Sequence, residues 1–475
     1  MSDFRYQTAL AAAHTHALEW LGSLHTRPLP SRLDEAAVAA SLGELPDGPE
    51  DVATTIDLLA ERMEPGLAGM GSGRFFGFVI GGAHPAALAA DWLVSAWDQN
   101  AAMRVTTPAT AAAERTAGRW ILDLLGLPSG SSVGFATGAT MANFVGILAA
   151  RGELLRQLGW DMDQGLAGSP QIRVLAGAEV HLSPGAALRY AGLPQPELVA
   201  ADAQSRMIPA ALEAALVAAP TQPTLVLLQA GDIHSGDSDP FAELIPLAHR
   251  CGAWVHVDGA IGLWQAASPS LRHLVAGVEL ADSWTTDAHK TLNVPYDCGL
   301  IIVRDERAHR AATAMHGPYI DDFNDGLGQP FDYVPEMSRR ARGVPVWAVL
   351  RSLGRSGVAK LVDRMVLRAR EIAAGIAAIP GAVLLNDVVF TQASIAFESD
   401  ERTRRIVAAI LDEGEVWMSG SQWHGRAVLR ISVSNWQTNE DDVERAVAAV
   451  ARAVARVELG VSPPRHPANP LMSAT

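Results

Sequence analysis

The sequence predicts an α/β protein with a large domain on a mainly parallel sheet, a smaller C-terminal α+β domain and an N-terminal helical arm. Three observations carry that expectation. Short apolar runs rich in Val, Ile, Leu and Trp alternate with helix-length segments between Val133 and Val303, as in parallel sheets covered by helices on both faces. Beyond Val346 a second, shorter succession of strands and helices follows. Before Phe75 the helical stretches carry too little apolar surface to fold alone. The chain has 475 residues, 49% of them hydrophobic, 19% charged and 6% aromatic, which suits a buried core and about three domains. The expected divisions are residues 1–75 (helical arm and dimerisation segment), 76–345 (large domain), 346–460 (small domain) and 461–475 (tail).

In chain order, Phe4, Leu10, Leu18 and Leu21 recur among alanines and predict a first helix ending near Gly22. Arg27-Pro28-Leu29-Pro30 interrupts it, and a second helix is expected from Asp34 to Leu42. Such an arm needs another domain or subunit to lie on. Gly71 to Phe78, rich in glycine and phenylalanine, reads as a packed turn. Helices are expected over Ala86–Asn100, Ala109–Leu125 and Ala139–Leu158, with a buried strand at Val133–Ala136. Further strands are expected at Ile172–Leu175, Leu225–Leu228, Trp254–Val257, Ser283–Thr285 and Leu300–Val303. Ligands of such sheets bind outside the carboxyl ends of the strands, so the residues just after each run are the candidates for chemistry. Gly317–Pro335 reads as a loop, followed by a helix over Val346–Ala377. Strands at Val383–Leu385, Ile395–Phe397, Val416–Ser419 and Leu429–Val433 and helices at Arg402–Leu411 and Glu440–Val457 complete the small domain.

Lys plus Arg number 37 and Asp plus Glu 52, a net charge of −15. This argues against affinity for nucleic acid or anionic membranes, although it leaves room for a local pocket that holds one small phosphate. Cys251 and Cys298, the two cysteines, are too few for a disulfide framework or a cysteine zinc site, and no metal site is expected. Met1–Leu21 carries Asp3, Arg5, His14, His16 and Glu19 and does not read as a signal peptide. No stretch reaches the roughly 20 apolar residues of a membrane span. The expectation is a soluble, cytoplasmic enzyme.

Thr137-Gly138-Ala139-Thr140 lies between an expected strand and helix, where backbone N–H groups and hydroxyls can approach an anion; alone, it also reads as an ordinary turn. Asp258 follows a strand expected to be fully buried. It needs a partner, either as a helix cap or in a salt bridge to a cationic ring nitrogen. Lys290 stands near the end of the Ser283–Thr285 run, in a chain whose other lysine is Lys360. A lysine retained among arginines suggests amine chemistry, namely a Schiff base, against the plainer reading of a surface lysine. His181, after the Ile172–Leu175 run, is either a hydrogen-bonded core residue or a catalytic one. Gly130-Ser131-Ser132-Val133-Gly134 matches the G-x-S-x-G of serine hydrolases, but the apolar run follows the serine where a nucleophile elbow requires it to precede.

Together and in this order, these residues resemble the group II pyridoxal-phosphate-dependent amino-acid decarboxylases, whose members act on aromatic amino acids, glutamate, histidine and diaminobutyrate. The resemblance runs from about Gly71 to Val433 and includes Pro85-Ala86-Ala87-Leu88, Asp91, Thr110–Leu127 with Glu114, and Asp287-Ala288-His289-Lys290. It implies a fold-type I, transferase-like homodimer and decarboxylation of an L-amino acid through a Schiff base on Lys290 and a quinonoid intermediate. By the same resemblance Asp258 keeps the cofactor's pyridine nitrogen protonated, His181 stacks on the ring and Ala260 packs its other face. Ala139, Thr140, Asp287 and His289 match positions around the phosphate. Tyr319, in the loop after the lysine, matches the tyrosine that protonates Cα, and tyrosine there favours simple decarboxylation over aldehyde formation.

One departure stands out. Asp232-Ile233-His234 occupies the place of a threonine pair in many members, which would set an extra carboxylate near His181. An aldehyde synthase or carbon–carbon lyase of the same fold is therefore the alternative, with a serine hydrolase or inactive binding homologue more distant. The substrate pocket is expected to draw on Phe75–Phe78 and Arg104–Thr107, while structural roles are favoured for Arg104, Trp423, His424 and Arg430.

Overall fold

The structure, a computed structural model, describes residues 4–315, 317 and 327–460. Helices run over Phe4–Ser23 (α1), Glu35–Leu42 (α2), Val52–Met63 (α3), Pro85–Trp97 (α4), Pro108–Leu125 (α5), Ala139–Gln157 (α6) and Leu182–Tyr190 (α7). They continue with Pro209–Ala218 (α8), Phe241–Arg250 (α9), Glu306–Thr313 (α10), Gly343–Ala377 (α11, kinked at the non-helical Gly354), Asp400–Glu413 (α12) and Glu440–Glu458 (α13). The chain divides into two compact units, one of Ala83–Leu367 with Asn386–Gln392, the other of Met1–Gly82, Arg368–Leu385 and Ala393–Thr475.

The first unit holds a sheet of β1 (Ser132–Ala136), β2 (Arg173–Gly177), β3 (Glu197–Val199), β4 (Thr224–Gln229), β5 (Trp254–Asp258), β6 (Ser283–Asp287) and β7 (Gly299–Val303). Its order is β1-β7-β6-β5-β4-β2-β3. The side-chain period of two feeds both faces. Val226 and Leu228 join one core with Ile121, Trp264 and Trp284, while Leu225 and Leu227 join the other with Val145, Ile147 and Leu188. Each such side chain contributes about 1.5–3 kcal/mol on burial, which explains why β5, β6 and β7 are buried along their whole length.

The expected α/β architecture is present, with a qualification at β7, which pairs antiparallel with both β6 and β1. The segment between β6 and β7 contains no helix, and a parallel return needs a crossover of about a dozen residues or more. The three-residue edge strand β3 and helix α3 escaped the sequence reading. β3 exposes Glu197 and Leu198 and so lacks a buried run. The start of α3 carries a cap signal, since Asp51 accepts hydrogen bonds from the Ala53 and Thr54 N–H groups.

The second unit holds a sheet of order β10-β11-β9-β8, from β8 (Val383–Leu384), β9 (Gln392–Ala396), β10 (Ser419–Trp423) and β11 (Arg426–Ser432). The strand expected at Val416–Ser419 begins only at Ser419. The hairpin turn sets this position: His424 and Gly425, at φ 48° and 75°, link Trp423 to Arg426, as tight hairpin turns require. Arg74, fully buried, donates to the carbonyls of Leu24, Arg27 and Glu415. The Leu29 N–H donates to Gly414 O at 3.0 Å. The segment after α1 is thus tied to residues that precede β10.

Candidate active site

The carboxyl ends of β1, β2, β4, β5 and β6 bring the expected residues of the large unit together. β1 leads through Thr137-Gly138 into α6, β2 through His181 into α7, β5 ends at Asp258 and β6 at Asp287. Register sets Gln229 beside Asp258 and Asp258 beside Thr285, and the Asp287 N–H donates to Ala260 O at 3.2 Å.

Lys290 Nζ lies 2.9 Å from Asp287 Oδ2. His289 Nδ1 accepts the Cys298 N–H at 3.2 Å, so its proton resides on Nε2, which lies 3.5 Å from the same carboxylate oxygen. Burial lowers the His289 pKa, against the opposing pull of Asp287. The Tyr296 ring packs on the imidazole with centroids 4.4 Å apart. Asp287 Oδ1 and Thr286 Oγ1 are buried without a hydrogen-bond partner. Close by, α6 begins at Gly138 with no side-chain cap, which leaves its first-turn N–H groups open to an anion. A Cβ on Gly138 would stand 3.4 Å from His289 Cε1 and 3.8 Å from Asp287 Oδ1, so helix end and lysine motif share one cradle. An uncapped helix N-terminus, an amine and the orphaned Thr286 hydroxyl suit a phosphorylated aldehyde. Ala139 is buried and Thr140 exposed at this helix start.

Asp258 is buried, and its Oδ1 accepts the Ala260 N–H at 3.1 Å. Its Oδ2 accepts from Asn143 Nδ2 at 2.9 Å and lies 3.4 Å from Ser183 Oγ. His181 caps α7: its Nδ1 accepts the Ser183 N–H at 3.2 Å and lies 2.8 Å from Ser183 Oγ. Its backbone N–H donates to Gln229 Oε1 at 3.2 Å.

Asp232 turns into its own loop. Its Oδ1 accepts from the His234 and Ser235 N–H groups, both at 2.8 Å, and from Ser235 Oγ at 3.2 Å. Its Oδ2 accepts from Gln229 Nε2 at 3.3 Å. Among these contacts its link toward His181 runs through Gln229 to a backbone N–H. Ser132 is the first residue of β1, and its Oγ lies 2.8 Å from His309 Nδ1. That imidazole bonds Tyr333 O at 2.9 Å through Nε2, leaving no carboxylate to complete a triad. Arg104 donates to Leu327 O at 2.7 Å, Arg430 to Phe78 O at 3.0 Å, and the Trp423 ring packs against His424 at a tilt of 35°. Tyr319 lies outside the described residues.

Asn143, Ser183, Gln229 and His256 were not singled out from the sequence. The spacing of His256 and Asp258, two apart on one strand, was the available signal, because such residues share a face.

The model of the pyridoxal-dependent decarboxylase conserved domain matches residues 39–397. The chain belongs to this family. This decarboxylase is 28% identical over 428 residues to tryptophan decarboxylase 1 of Oryza sativa subsp. japonica, covering 82% of each chain. It is 25% identical to phenylacetaldehyde synthase of Arabidopsis thaliana over 84% of this chain and 86% of the other. With L-2,4-diaminobutyrate decarboxylase of Rhizobium meliloti it shares 27% identity over 78% and 76%. Among solved structures, Oryza sativa TDC with PLP and tryptamine superposes with a TM-score of 0.90 at 22% identity, over 96% of this chain and 99% of that one. Mouse CSAD superposes at 0.85, with 20% identity over 95% and 98%. The fold is that of these enzymes, the cofactor is pyridoxal 5′-phosphate, and the enzyme is an amino-acid carboxy-lyase.

Proposed function

We propose that this decarboxylase converts an L-amino acid to its amine and carbon dioxide, using Lys290, Asp258 and His181 around the cofactor ring. The observation that carries the reading is the placement of Lys290 Nζ, 2.9 Å from Asp287, beside the uncapped start of α6, with Asp258 at the end of the adjacent strand. When bound, pyridoxal 5′-phosphate supplies an electron sink for the bonding pair left as the carboxylate departs. Lys290 would hold the cofactor's aldehyde carbon through its side-chain amine. Asp287 orients that amine, and His289 and the N–H groups of Ala139 and Thr140 would hold the phosphate. Asp258 would hold the proton of the pyridine nitrogen, and His181 and Ala260 would line the faces of the ring. Tyr319 delivers the proton to Cα.

The enzyme works as a cytoplasmic homodimer in this reading, with residues 1–75 as its dimerising arm. The phenylacetaldehyde synthase match favours a second reading, oxidative conversion to an aldehyde. Purified holoenzyme on a panel of aromatic and basic L-amino acids decides between them. Carbon dioxide with equimolar amine supports decarboxylation; oxygen-dependent hydrogen peroxide matching the loss of amine overturns it. Tyr319→Phe is expected to shift products toward aldehyde, and an unchanged ratio removes Tyr319 from its role.

A further inference from the structure

A chain of buried hydrogen bonds leads away from Asp258, and its polarity is determined at the Asp258 end, where the carboxylate can only accept. The Trp254 indole can only donate, and Nε1–H gives its proton to Ser283 Oγ at 3.0 Å. With Asn143 Nδ2 turned to the Asp258 carboxylate, its Oδ1 requires a proton on His256 Nε2, so Nδ1 accepts and the Ser283 hydroxyl donates to it at 2.8 Å. The Nε2–H donates to Asn143 Oδ1 at 2.9 Å, and the amide Nδ2 donates to Asp258 Oδ2 at 2.9 Å. His256, Asn143 and Ser283 are fully buried. Burial pushes the His256 pKa down to about 4, against the pull of Asp258, in keeping with a neutral ring of one tautomer. Helix α6 closes on the ring: a Cβ on Gly146 would stand 2.5 Å from His256 Cε1.

We propose that Trp254, Ser283, His256 and Asn143 form a one-way relay that positions Asp258, presenting it with an amide N–H so that its carboxylate meets the cofactor's pyridine nitrogen in one orientation. This rests on the reading of Asp258 given above. Were the amide reversed, its oxygen would face the carboxylate, two acceptors with no proton between them. His256 and Asn143 are therefore positioning residues that act through Asp258.

The test uses holoenzyme reconstituted with cofactor carrying 15N at the ring nitrogen, whose chemical shift reports protonation, together with the cofactor dissociation constant. Asn143→Leu and His256→Phe are expected to weaken cofactor binding about tenfold, as for one lost hydrogen bond to a charged group, and to move the 15N signal toward the unprotonated position. His256→Gln keeps an N–H donor and is expected to restore both. Parent affinity and parent shift in Asn143→Leu would overturn the relay. If that variant does not fold, Ser283→Ala decides: a displaced 15N signal supports the relay and an unchanged one overturns it. Asp258→Asn separates the two levels. If it keeps the parent shift and affinity, the role of Asp258 fails; if it loses them while the relay variants do not, only the relay fails.

Discussion

Asp232 shows how a loop decides what a carboxylate can do. In sequence it stands where a threonine pair is expected, beside a histidine, and invites a catalytic reading. In the fold, two backbone N–H groups, a serine hydroxyl and a glutamine amide converge on it, and it is buried. Removing such an acceptor leaves buried donors unsatisfied, at a cost of about 1–3 kcal/mol. Asp232→Ala is accordingly expected to lower the free energy of unfolding by that amount while leaving the absorbance of bound cofactor unchanged. A cofactor spectrum that moves with this substitution would return Asp232 to the reacting centre. Lys290→Ala should abolish the visible cofactor band and its borohydride sensitivity, and because it takes the ammonium from the buried Asp287 carboxylate it should lower stability as well.

Two glycines govern how elements approach the site. Gly299 opens β7, and a Cβ there would stand 2.4 Å from Gly138 C and 2.5 Å from its Cα. The strand is pressed against the turn that starts α6, so Gly299→Ala must push that turn aside. The expected result is weaker binding of pyridoxal 5′-phosphate by the apoenzyme, read by titration; unchanged affinity would show that the turn yields without disturbing the phosphate. Gly146 plays the same part between α6 and β5, where the helix lies over the His256 ring. Overpacking of this kind costs about 1–3 kcal/mol. Gly146→Ala should show that loss in denaturation, accompanied by a 15N displacement like that of His256→Phe. The direction of β7 belongs to this scale too. Its apolar run is plain in sequence, but its antiparallel course follows from the missing helix before it, and apolar character says nothing about direction.

For the whole molecule, buried neutral histidines couple folding to acidity. Burial holds His256 and His309 down to about 4 against an ordinary value of 6.5, opposed by Asp258 at the first and by a bond to Tyr333 O at the second. Between those values the unfolded chain binds protons that the folded chain refuses. Stability is therefore full above about pH 6.5 and is lost as pH falls through about 4, by on the order of 3 kcal/mol per histidine. Chemical denaturation of the holoenzyme across that window should show the decline, and His309→Gln should lessen it. A flat profile would mean that neither ring is held neutral.

Local order in the chain was enough to determine much of this protein. Buried strands announce themselves as apolar runs, and a lysine among arginines marks Lys290. The succession of Gly138, His181, Asp258 and Asp287-Ala288-His289-Lys290 implied the family and its cofactor. Tertiary structure alone decided which partners each polar group meets. Asn143 lies 113 residues from His256 and 115 from Asp258 along the chain, and Ser132 lies 177 from His309. Hydrogen bonds reach about 3 Å, so such pairs exist only once the sheet register and the seating of α6 and α10 bring distant segments into contact.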